Sequence, residues 1–199
     1  MFPLFETICV LDGTILHPQW HERRYEDSYL TYFKKSPSKS LLGDITVPEN
    51  FKEGKIKLRI AYNQHTVEVN WSPYKTIEIK RLKVIPEDAI EYSLKYNNRN
   101  ALNTLYLKKE HCDDILILKE GRLTDSSYGN LAFLRENIWY TPDQPLLSGT
   151  CRDRLIHENK LIPKSIQLSD LNQFSSFKVI NAMRSLEDVT ASPIKNIIL

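Results

Sequence analysis

The sequence is short of cysteine and has almost no net charge. Its three cysteines, Cys9, Cys112 and Cys151, are far apart and form no CxxC pair. This spacing predicts reduced thiols in a cytoplasmic protein and supports neither a disulfide framework nor a zinc site. The 27 basic and 25 acidic residues leave a formal net charge of +2. A charge this small provides no basic surface for nucleic acid, so nucleic acid is not expected as a partner.

Long apolar runs are absent as well. No stretch reaches the length of about 18 apolar residues that a membrane span requires. The first residues, MFPLFETICV, lack the basic start and the small-residue cleavage site of a secretory signal peptide. Hydrophobic residues make up 41% of the sequence and aromatic residues 10%, which is a composition typical of globular proteins. In 199 residues this is enough for a sizeable core in one domain or in two small ones.

The first half of the chain is predicted to form a small α+β domain over residues 1–86. Apolar runs on either side of Asp12-Gly13 indicate a β-hairpin. Pro18 begins a predicted helix, PQWHERRYEDSYLTYFKK, in which Trp20, Tyr25, Tyr29 and Tyr32 recur at a spacing that can face a core. Alternating apolar residues then predict three strands, which are KIKLRIAY, TVEVNW and TIEIKRLKVI. These elements indicate an antiparallel sheet that packs against a helix.

The second half, residues 87–199, is predicted to be strand-rich and barrel-like in the order of its elements. It begins with a helix, NRNALNTLYLKKEH. Short strands follow at DDILIL, RLTD, NLAFL and NIWYT. A second helix, SGTCRDRLIHENK, begins at Ser148-Gly149, and the segments FKVINAM and IKNIIL complete the chain.

Several segments have both a chemical and an ordinary structural interpretation. His21 and Arg24 are three residues apart on one helix face, which is either part of a binding site or a solvated basic face. Residues 120–134 are either part of a site or a hairpin with a polar bend. The segment LLSGTCRDRL exposes backbone N–H groups that could bind an anion, or Ser148 simply caps the helix. Lys95 by itself is an ordinary solvated lysine.

In their order along the chain, these segments resemble the class IV aminotransferases, which are pyridoxal 5'-phosphate (PLP) enzymes of fold type IV. Branched-chain aminotransferase, D-amino acid aminotransferase and aminodeoxychorismate lyase belong to this family. Each motif alone is weak, but the series covers nearly the whole chain. The motifs are FETI (5–8), HERR (21–24), LKYNNR (94–99), CDDILIL (112–118), GRLTDSSYGN (121–130), YTP (140–142), LLSGTCR (146–152) and NAM (181–183).

The resemblance assigns roles to individual residues. It implies that Lys95 bonds PLP covalently and later acts as the base at the substrate carbon. Asp125 takes the place of a family glutamate that pairs with the pyridine nitrogen of the cofactor. Arg24 takes the place of the phosphate-binding arginine, whose fork of donors suits phosphate oxygens. The remaining phosphate contacts are implied at Gly149, Thr150, Cys151, Asn181 and Ala182, and the family has Ile-Thr where this chain has Thr150-Cys151.

The resemblance also implies a reaction. KYNNR is similar to the Lys-x-x-Asn-Arg of aminodeoxychorismate lyases, and differs from the Lys-x-Gly-Gly-Asn-Tyr of branched-chain aminotransferases. The lyase reaction converts 4-amino-4-deoxychorismate to 4-aminobenzoate and pyruvate. A branched-chain or D-amino acid aminotransferase is the alternative, and a PLP-binding protein with little catalysis is another. Lys80 and Arg81 are candidates to bind the substrate carboxylates, or they lie on a solvated strand face.

One departure from the family concerns the N-terminus. Family members usually carry an extension with an NG turn and a YG pair before the FE strand, whereas this chain begins almost at that strand. The resemblance therefore implies that the first strands, part of the pocket for the small-molecule substrate and the oligomer contacts differ from those of relatives. Apolar surface left by the aromatic-rich first helix indicates a homodimer.

Overall fold

The protein consists of two compact units. The computed structural model describes every residue from Met1 to Leu199. The first unit comprises Met1–Thr76 and Leu94–Asn98, and the second comprises Ile77–Ser93 and Arg99–Leu199. The chain therefore leaves the second unit briefly, at the segment that carries Lys95, and then returns to it. The sequence predicts one domain boundary, after residue 86. That boundary stays a prediction.

The first unit is an antiparallel sheet with one long helix. Its four strands have the order β2-β1-β3-β4. Asp12 and Gly13 connect β1 to β2 with φ angles of 45° and 79°, as a two-residue hairpin turn requires. The predicted hairpin and antiparallel sheet are thus confirmed. The elements are β1 (Leu4–Leu11), β2 (Thr14–Ile15), α1 (Pro18–Phe33), β3 (Lys55–Tyr62) and β4 (Val67–Pro73), with a 3-10 turn at Glu49–Phe51.

Alternate residues of β1 and β3 form the core of this unit with one face of α1. Tyr25 and Tyr29 of the helix are buried, and the ring of Tyr25 meets that of Tyr62 edge to face with centroids 4.9 Å apart. Tyr32, predicted with them as a core-facing residue, is 44% exposed. The fully buried aliphatic residues of this core are Leu4, Ile8, Val10, Leu58 and Ile60.

The second unit is rich in strands and contains two short helices, as predicted. Its largest sheet follows the order β10-β9-β8-β7-β6-β5-β13, and β11 pairs with β8 and with β12. The strands are β5 (Leu82–Pro86), β6 (Asp114–Lys119), β7 (Arg122–Ser126), β8 (Asn130–Arg135), β9 (Ile138–Pro142), β10 (Ile162–Lys164), β11 (Ser176–Ile180), β12 (Ser192–Pro193) and β13 (Ile197–Ile198). The helices are α2 (Asn100–Tyr106) and α3 (Thr150–His157), and 3-10 turns lie at Leu107–Lys109, Leu168–Gln173 and Ile194–Asn196. None of the helices combines the length and the apolar character needed to cross a membrane.

The strand predicted at TIEIKRLKVI was too long and was placed in the wrong sheet. Only its second part forms β5, which pairs in parallel with β6 in the second unit. Before β5, the backbone N–H groups of Lys80 and Arg81 donate to the Asp113 carboxylate at 2.8 and 2.9 Å instead of to a strand. Ile77, which the alternation placed on an apolar face, is 73% exposed. The sequence alternates between apolar and polar residues here, but a side-chain carboxylate, and not a neighbouring strand, accepts the hydrogen bonds of these backbone N–H groups.

Candidate active site

Lys95 belongs to a short segment that lies along the beginning of β1. Its carbonyl oxygen accepts a hydrogen bond from the Phe5 N–H at 3.1 Å. Two residues later, the Asn97 N–H donates to the Pro3 carbonyl at 2.7 Å. The half-buried Lys95 side chain places its Nζ 4.9 Å from the centroid of the Phe5 ring. The segment therefore fixes the backbone of the lysine against the sheet.

Arg24 lies on α1 and forms a two-point ion pair with Glu6 of β1. Its Nε donates to Glu6 Oε1 at 2.8 Å, and its Nη2 donates to Glu6 Oε2 at 2.6 Å. The Glu6 side chain is completely buried, whereas the Arg24 side chain is 13% exposed. A guanidinium carries five N–H donors, and these two bonds employ two of them. Arg23, the next residue along, is exposed.

His21 completes this buried group. Its Nδ1 lies 2.7 Å from Glu6 Oε2. Although burial acts to raise it, the charge of Arg24 and the hydrogen bonds from both neighbours lower the pKa of Glu6 to about 2. Burial lowers the pKa of His21, so its imidazole is neutral at pH 7. An ionised carboxylate only accepts, so the Nδ1–H tautomer of His21 donates to Glu6.

Asp125 is the last residue but one of β7 and is 5% exposed. Its Oδ1 accepts from the Asn130 side-chain amide at 2.8 Å, and its Oδ2 accepts from the Leu147 N–H at 3.0 Å. Burial disfavours the charged form and raises the pKa of the Asp125 carboxyl to about 6, against the opposing effect of these two hydrogen bonds. The carboxylate is therefore ionised at pH 7 in a position from which water is excluded.

Asn130 connects Asp125 to the beginning of α3. Its side-chain amide also donates to the Leu147 carbonyl at 2.9 Å. Gly149 lies so close that a Cβ atom there would collide with Asn130 Oδ1. Only glycine permits this approach, so the residue type at position 149 is set by the neighbouring amide.

Helix α3 begins with backbone N–H groups at the buried residues Thr150 and Cys151. Gly149 is the N-cap, and no side chain caps the helix. The alternative that Ser148 caps it was wrong, because the Ser148 hydroxyl donates to the Asp153 carboxylate at 3.0 Å. Burial raises the pKa of the Cys151 thiol to about 11, so it is protonated at pH 7. The first two residues of this helix therefore offer neutral backbone N–H donors.

Asn181 and Ala182 form the turn that follows β11, and both are half-buried. The Asn181 side-chain amide donates to the Tyr128 carbonyl at 3.0 Å, and its Oδ1 accepts from the Met183 N–H at 2.9 Å. Asn181 thereby holds the connection between β7 and β8, the one that follows Asp125.

The predicted site residues form two groups. In the first unit, β1 contacts both Arg24 and Lys95. In the second unit, Asp125, Asn130 and the start of α3 are connected, with Asn181 on the turn beside them. Glu6 was missed as a site residue, although its place in an otherwise apolar strand is a signal of a buried charge with a partner.

The candidates for substrate carboxylates, Lys80 and Arg81, have other partners. Lys80 Nζ lies 2.6 Å from Glu78 Oε2, and both side chains are more than half exposed. Arg81 Nη2 donates to the His111 carbonyl at 2.9 Å. These contacts place Lys80 and Arg81 on a solvated surface, and not in a substrate pocket.

Comparison with known proteins decides the family. The family model described as amino-transferase class IV matches residues 3–191. The chain belongs to the class IV aminotransferases. Members of this family are PLP-dependent enzymes that act on small molecules, and this chain is assigned as one of them.

Similar proteins include two from the genus Haemophilus. An uncharacterized protein from H. influenzae is 40% identical over 188 residues, which are 94% of this chain and 100% of that protein. A solved structure from H. somnus, described as a "putative 4-amino-4-deoxychorismate lyase", is 39% identical with a TM-score of 0.89, and the match covers 94% of this chain and 98% of that one.

A more distant structure supports the fold. The fold IV transaminase from Curtobacterium pusillum is 15% identical with a TM-score of 0.69, over 98% of this chain and 76% of that chain. At this identity the likeness shows the fold alone. This class IV aminotransferase therefore has the predicted α+β, fold type IV architecture.

Proposed function

We propose that this class IV protein is a PLP-dependent 4-amino-4-deoxychorismate lyase, which forms 4-aminobenzoate and pyruvate. The observation that carries the proposal is the 39% identity and the TM-score of 0.89 to the H. somnus protein over nearly all of both chains. KYNNR adds support, because its lysine, asparagine and arginine have the spacing of the lyase motif. The atoms of the substrate equal those of the two products, so this reaction needs no second substrate.

The residues of the second unit fit the pyridine ring of PLP. The Asp125 carboxylate is buried, and both of its oxygens accept hydrogen bonds from neutral groups. A buried negative charge is stabilised by positive neighbours. The charge of Arg152 acts on Asp125 in this way, and a protonated pyridine nitrogen would add a second positive charge. Asp125 is therefore the residue proposed to bind this nitrogen.

The phosphate of PLP needs donors that favour a double negative charge. The guanidinium of Arg24 and the N–H groups at the start of α3 both favour anions. We assign Arg24, Gly149, Thr150 and Cys151 to the phosphate. Asn181 and Ala182 are proposed to complete this part of the site.

Lys95 is proposed to perform the proton transfers. Bound PLP supplies a conjugated ring that draws electrons from the substrate carbon that bears the amino group. The Lys95 amine would hold PLP covalently before substrate arrives and would be released when the amine of the substrate replaces it. The freed amine would then be the base that removes the proton from that carbon. Asp125 would keep the ring nitrogen protonated, and Arg24 would hold the phosphate of the cofactor.

Two incubations test the proposed reaction. The PLP-loaded protein is given 4-amino-4-deoxychorismate, and pyruvate and 4-aminobenzoate are measured. In parallel it is given a branched-chain or D-amino acid with 2-oxoglutarate, and glutamate is measured. We expect equal amounts of pyruvate and 4-aminobenzoate in the first mixture. Glutamate in the second mixture without products in the first would replace the lyase by an aminotransferase, and no product in either would favour a PLP-binding protein.

Removing the charge of Arg24 should weaken PLP binding selectively. The loss of this charge should reduce the binding free energy of PLP by about 1.5–3 kcal/mol, which is roughly a ten- to a hundredfold loss of affinity. Pyridoxal, which has no phosphate, should bind nearly as well as before. The double variant Arg24→Gln/Glu6→Gln avoids leaving the buried Glu6 carboxylate unpaired. Titration of the cofactor-free protein with each compound measures both affinities.

Arg23→Gln is the matched control for Arg24, since Arg23 is exposed on the same helix. It should bind both compounds as the parent protein does. Equal PLP affinity in the control and in the double variant would show that Arg24 does not bind the phosphate. Equal losses for PLP and pyridoxal would instead assign Arg24 to the stability of the unit.

We expect a homodimer in solution. Leu30 and Tyr32 on α1 are 52% and 44% exposed, which is apolar surface that an isologous interface would bury. Light scattering at micromolar concentration should give twice the 23.3 kDa of one chain. A mass equal to one chain, with PLP bound, would contradict this expectation.

A further inference from the structure

Arg99, the last residue of the KYNNR segment, has no part in the proposed chemistry but contacts the turn that follows Asp125. Its Nη2 donates to the Ser127 carbonyl at 2.7 Å. Its guanidinium carbon lies 4.4 Å from the centroid of the Tyr128 ring, within the range of a cation–π interaction. Its Nη1 donates to the Tyr92 hydroxyl at 3.3 Å. One side chain thus holds two consecutive residues of this turn.

Ser127 is also held from its other side. Its hydroxyl donates to Asp114 Oδ1 at 2.5 Å, and its N–H donates to the same oxygen at 3.3 Å. Ser127 and Asp114 are both buried. The hydroxyl, the N–H and the carbonyl of Ser127 therefore all have partners, two from Asp114 and one from Arg99.

Further contacts fix the remainder of the turn. The Ser126 N–H and hydroxyl both donate to the Gly129 carbonyl, at 2.9 and 3.1 Å. Gly129 packs so closely on β11 that a Cβ atom would lie 2.5 Å from the Ile180 carbonyl oxygen. With these contacts, residues 126–129 have little freedom to move relative to the strands.

This turn matters because it continues directly from Asp125, on the side of β7 that faces β8. On its other side β7 pairs with β6, and the pair nearest to Asp125 there is Leu116 with Ser126. The pairing between β7 and β8 consists of the single pair Asp125 and Asn130. An aspartate is one methylene shorter than the glutamate that the family has here, so its backbone must be placed more accurately to reach the same atom. Groups that support a site residue commonly have to hold it within about half an ångström.

We propose that Arg99 is a positioning residue that orients the Asp125 carboxylate toward the pyridine nitrogen of PLP by holding Ser127 and Tyr128. The inference rests on the proposed function, because it requires PLP with its nitrogen at Asp125. Arg99 does not touch the cofactor in this role. It acts through the turn, two residues away from the carboxylate.

Binding of PLP and of its 1-deaza analogue, in which carbon replaces the pyridine nitrogen, tests the inference. A purely structural arginine affects both ligands equally, whereas a residue that acts through Asp125 affects only the ligand with the nitrogen. The parent protein should prefer PLP. Arg99→Met should weaken PLP binding by about tenfold and the analogue by less than about threefold. Arg99→Lys, which keeps the charge and one possible donor, should lie between Met and the parent.

Two more variants make the experiment decisive. Arg122→Met is the control, since Arg122 is an exposed arginine on the same strand as Asp125, and it should leave both affinities unchanged. Ser127→Ala removes the hydroxyl that donates to Asp114 but keeps the carbonyl that accepts from Arg99. A selective loss in this variant would show that the turn determines the position of Asp125. If Arg99→Met does not fold, Arg99→Lys gives the result for Arg99 itself.

The outcomes separate the inference from the proposed function. Equal losses for both ligands, or no loss for either, would overturn the role of Arg99. A parent protein that binds PLP and the analogue equally well would overturn the assignment of Asp125 to the nitrogen, and the role of Arg99 with it. A parent that binds neither would refute the PLP site as a whole.

Discussion

Replacing Lys95 with alanine should reduce the turnover of 4-amino-4-deoxychorismate by about a thousandfold or more, since both the covalent attachment and the proton transfer depend on its amine. The backbone of the residue is bonded to β1 through the Phe5 N–H and does not depend on the side chain. We therefore expect the variant to fold and to bind PLP noncovalently. Pyruvate release under single-turnover conditions measures the loss.

Lys75→Ala is a suitable control, because Lys75 is an exposed lysine of the same unit. Borohydride reduction of the PLP-loaded parent should attach the cofactor to Lys95, and peptide mapping should find it there. Small primary amines added to the Lys95→Ala protein should restore part of the activity. An adduct on another lysine, or a variant as fast as the parent, would refute the assignment.

The second large effect is expected at Asp125. Asp125→Asn keeps the shape of the side chain and removes its charge, so the pyridine nitrogen loses the partner that keeps it protonated. Turnover should fall by about a hundredfold, while the protein stays yellow because Lys95 is unchanged. Asp125→Glu keeps the charge and should be faster than Asp125→Asn. Turnover of both variants at saturating PLP makes the comparison.

The pKa of Asp125 adds a dependence on pH. Burial raises this pKa to about 6. The carboxylate that attracts the positive ring nitrogen is therefore present above pH 6 and is lost as the pH falls below it. PLP affinity of the parent should decrease below about pH 6 more steeply than that of Asp125→Asn. If the two pH profiles are parallel, or if the Asp125→Asn enzyme turns over as fast as the parent, Asp125 has only a structural role in the turn.

Local signals allowed much of the fold to be predicted. The hairpin at Asp12-Gly13 and the helix that begins at Pro18 were found because turn chemistry and helical spacing act over a few residues. The motif LTDSSYGN correctly placed a strand, a turn and a strand around Asp125 and Asn130. The family resemblance added the fold type, which periodicity alone does not provide.

The failures were in contacts between residues distant in sequence. The alternation in TIEIKRLKVI does not show that Asp113 accepts the N–H groups of Lys80 and Arg81. In the same way, FETI does not show that Glu6 pairs with a helix residue 18 positions later. Burial and partner choice depend on the assembled tertiary structure, so the pattern of a single segment cannot determine them.

The attachment of the lysine segment to β1 has a consequence for how the chain folds during synthesis. The backbone groups of residues 3–5 at this sheet edge have their hydrogen-bond partners in residues 95–97. The ribosome adds these partners about 90 positions later. A nascent chain released after residue 86 would contain all four strands and α1 of the first unit, yet this edge would remain uncovered. Expression of the first unit alone should therefore retain Leu94–Asn98, supplied in cis through a linker or in trans as a peptide.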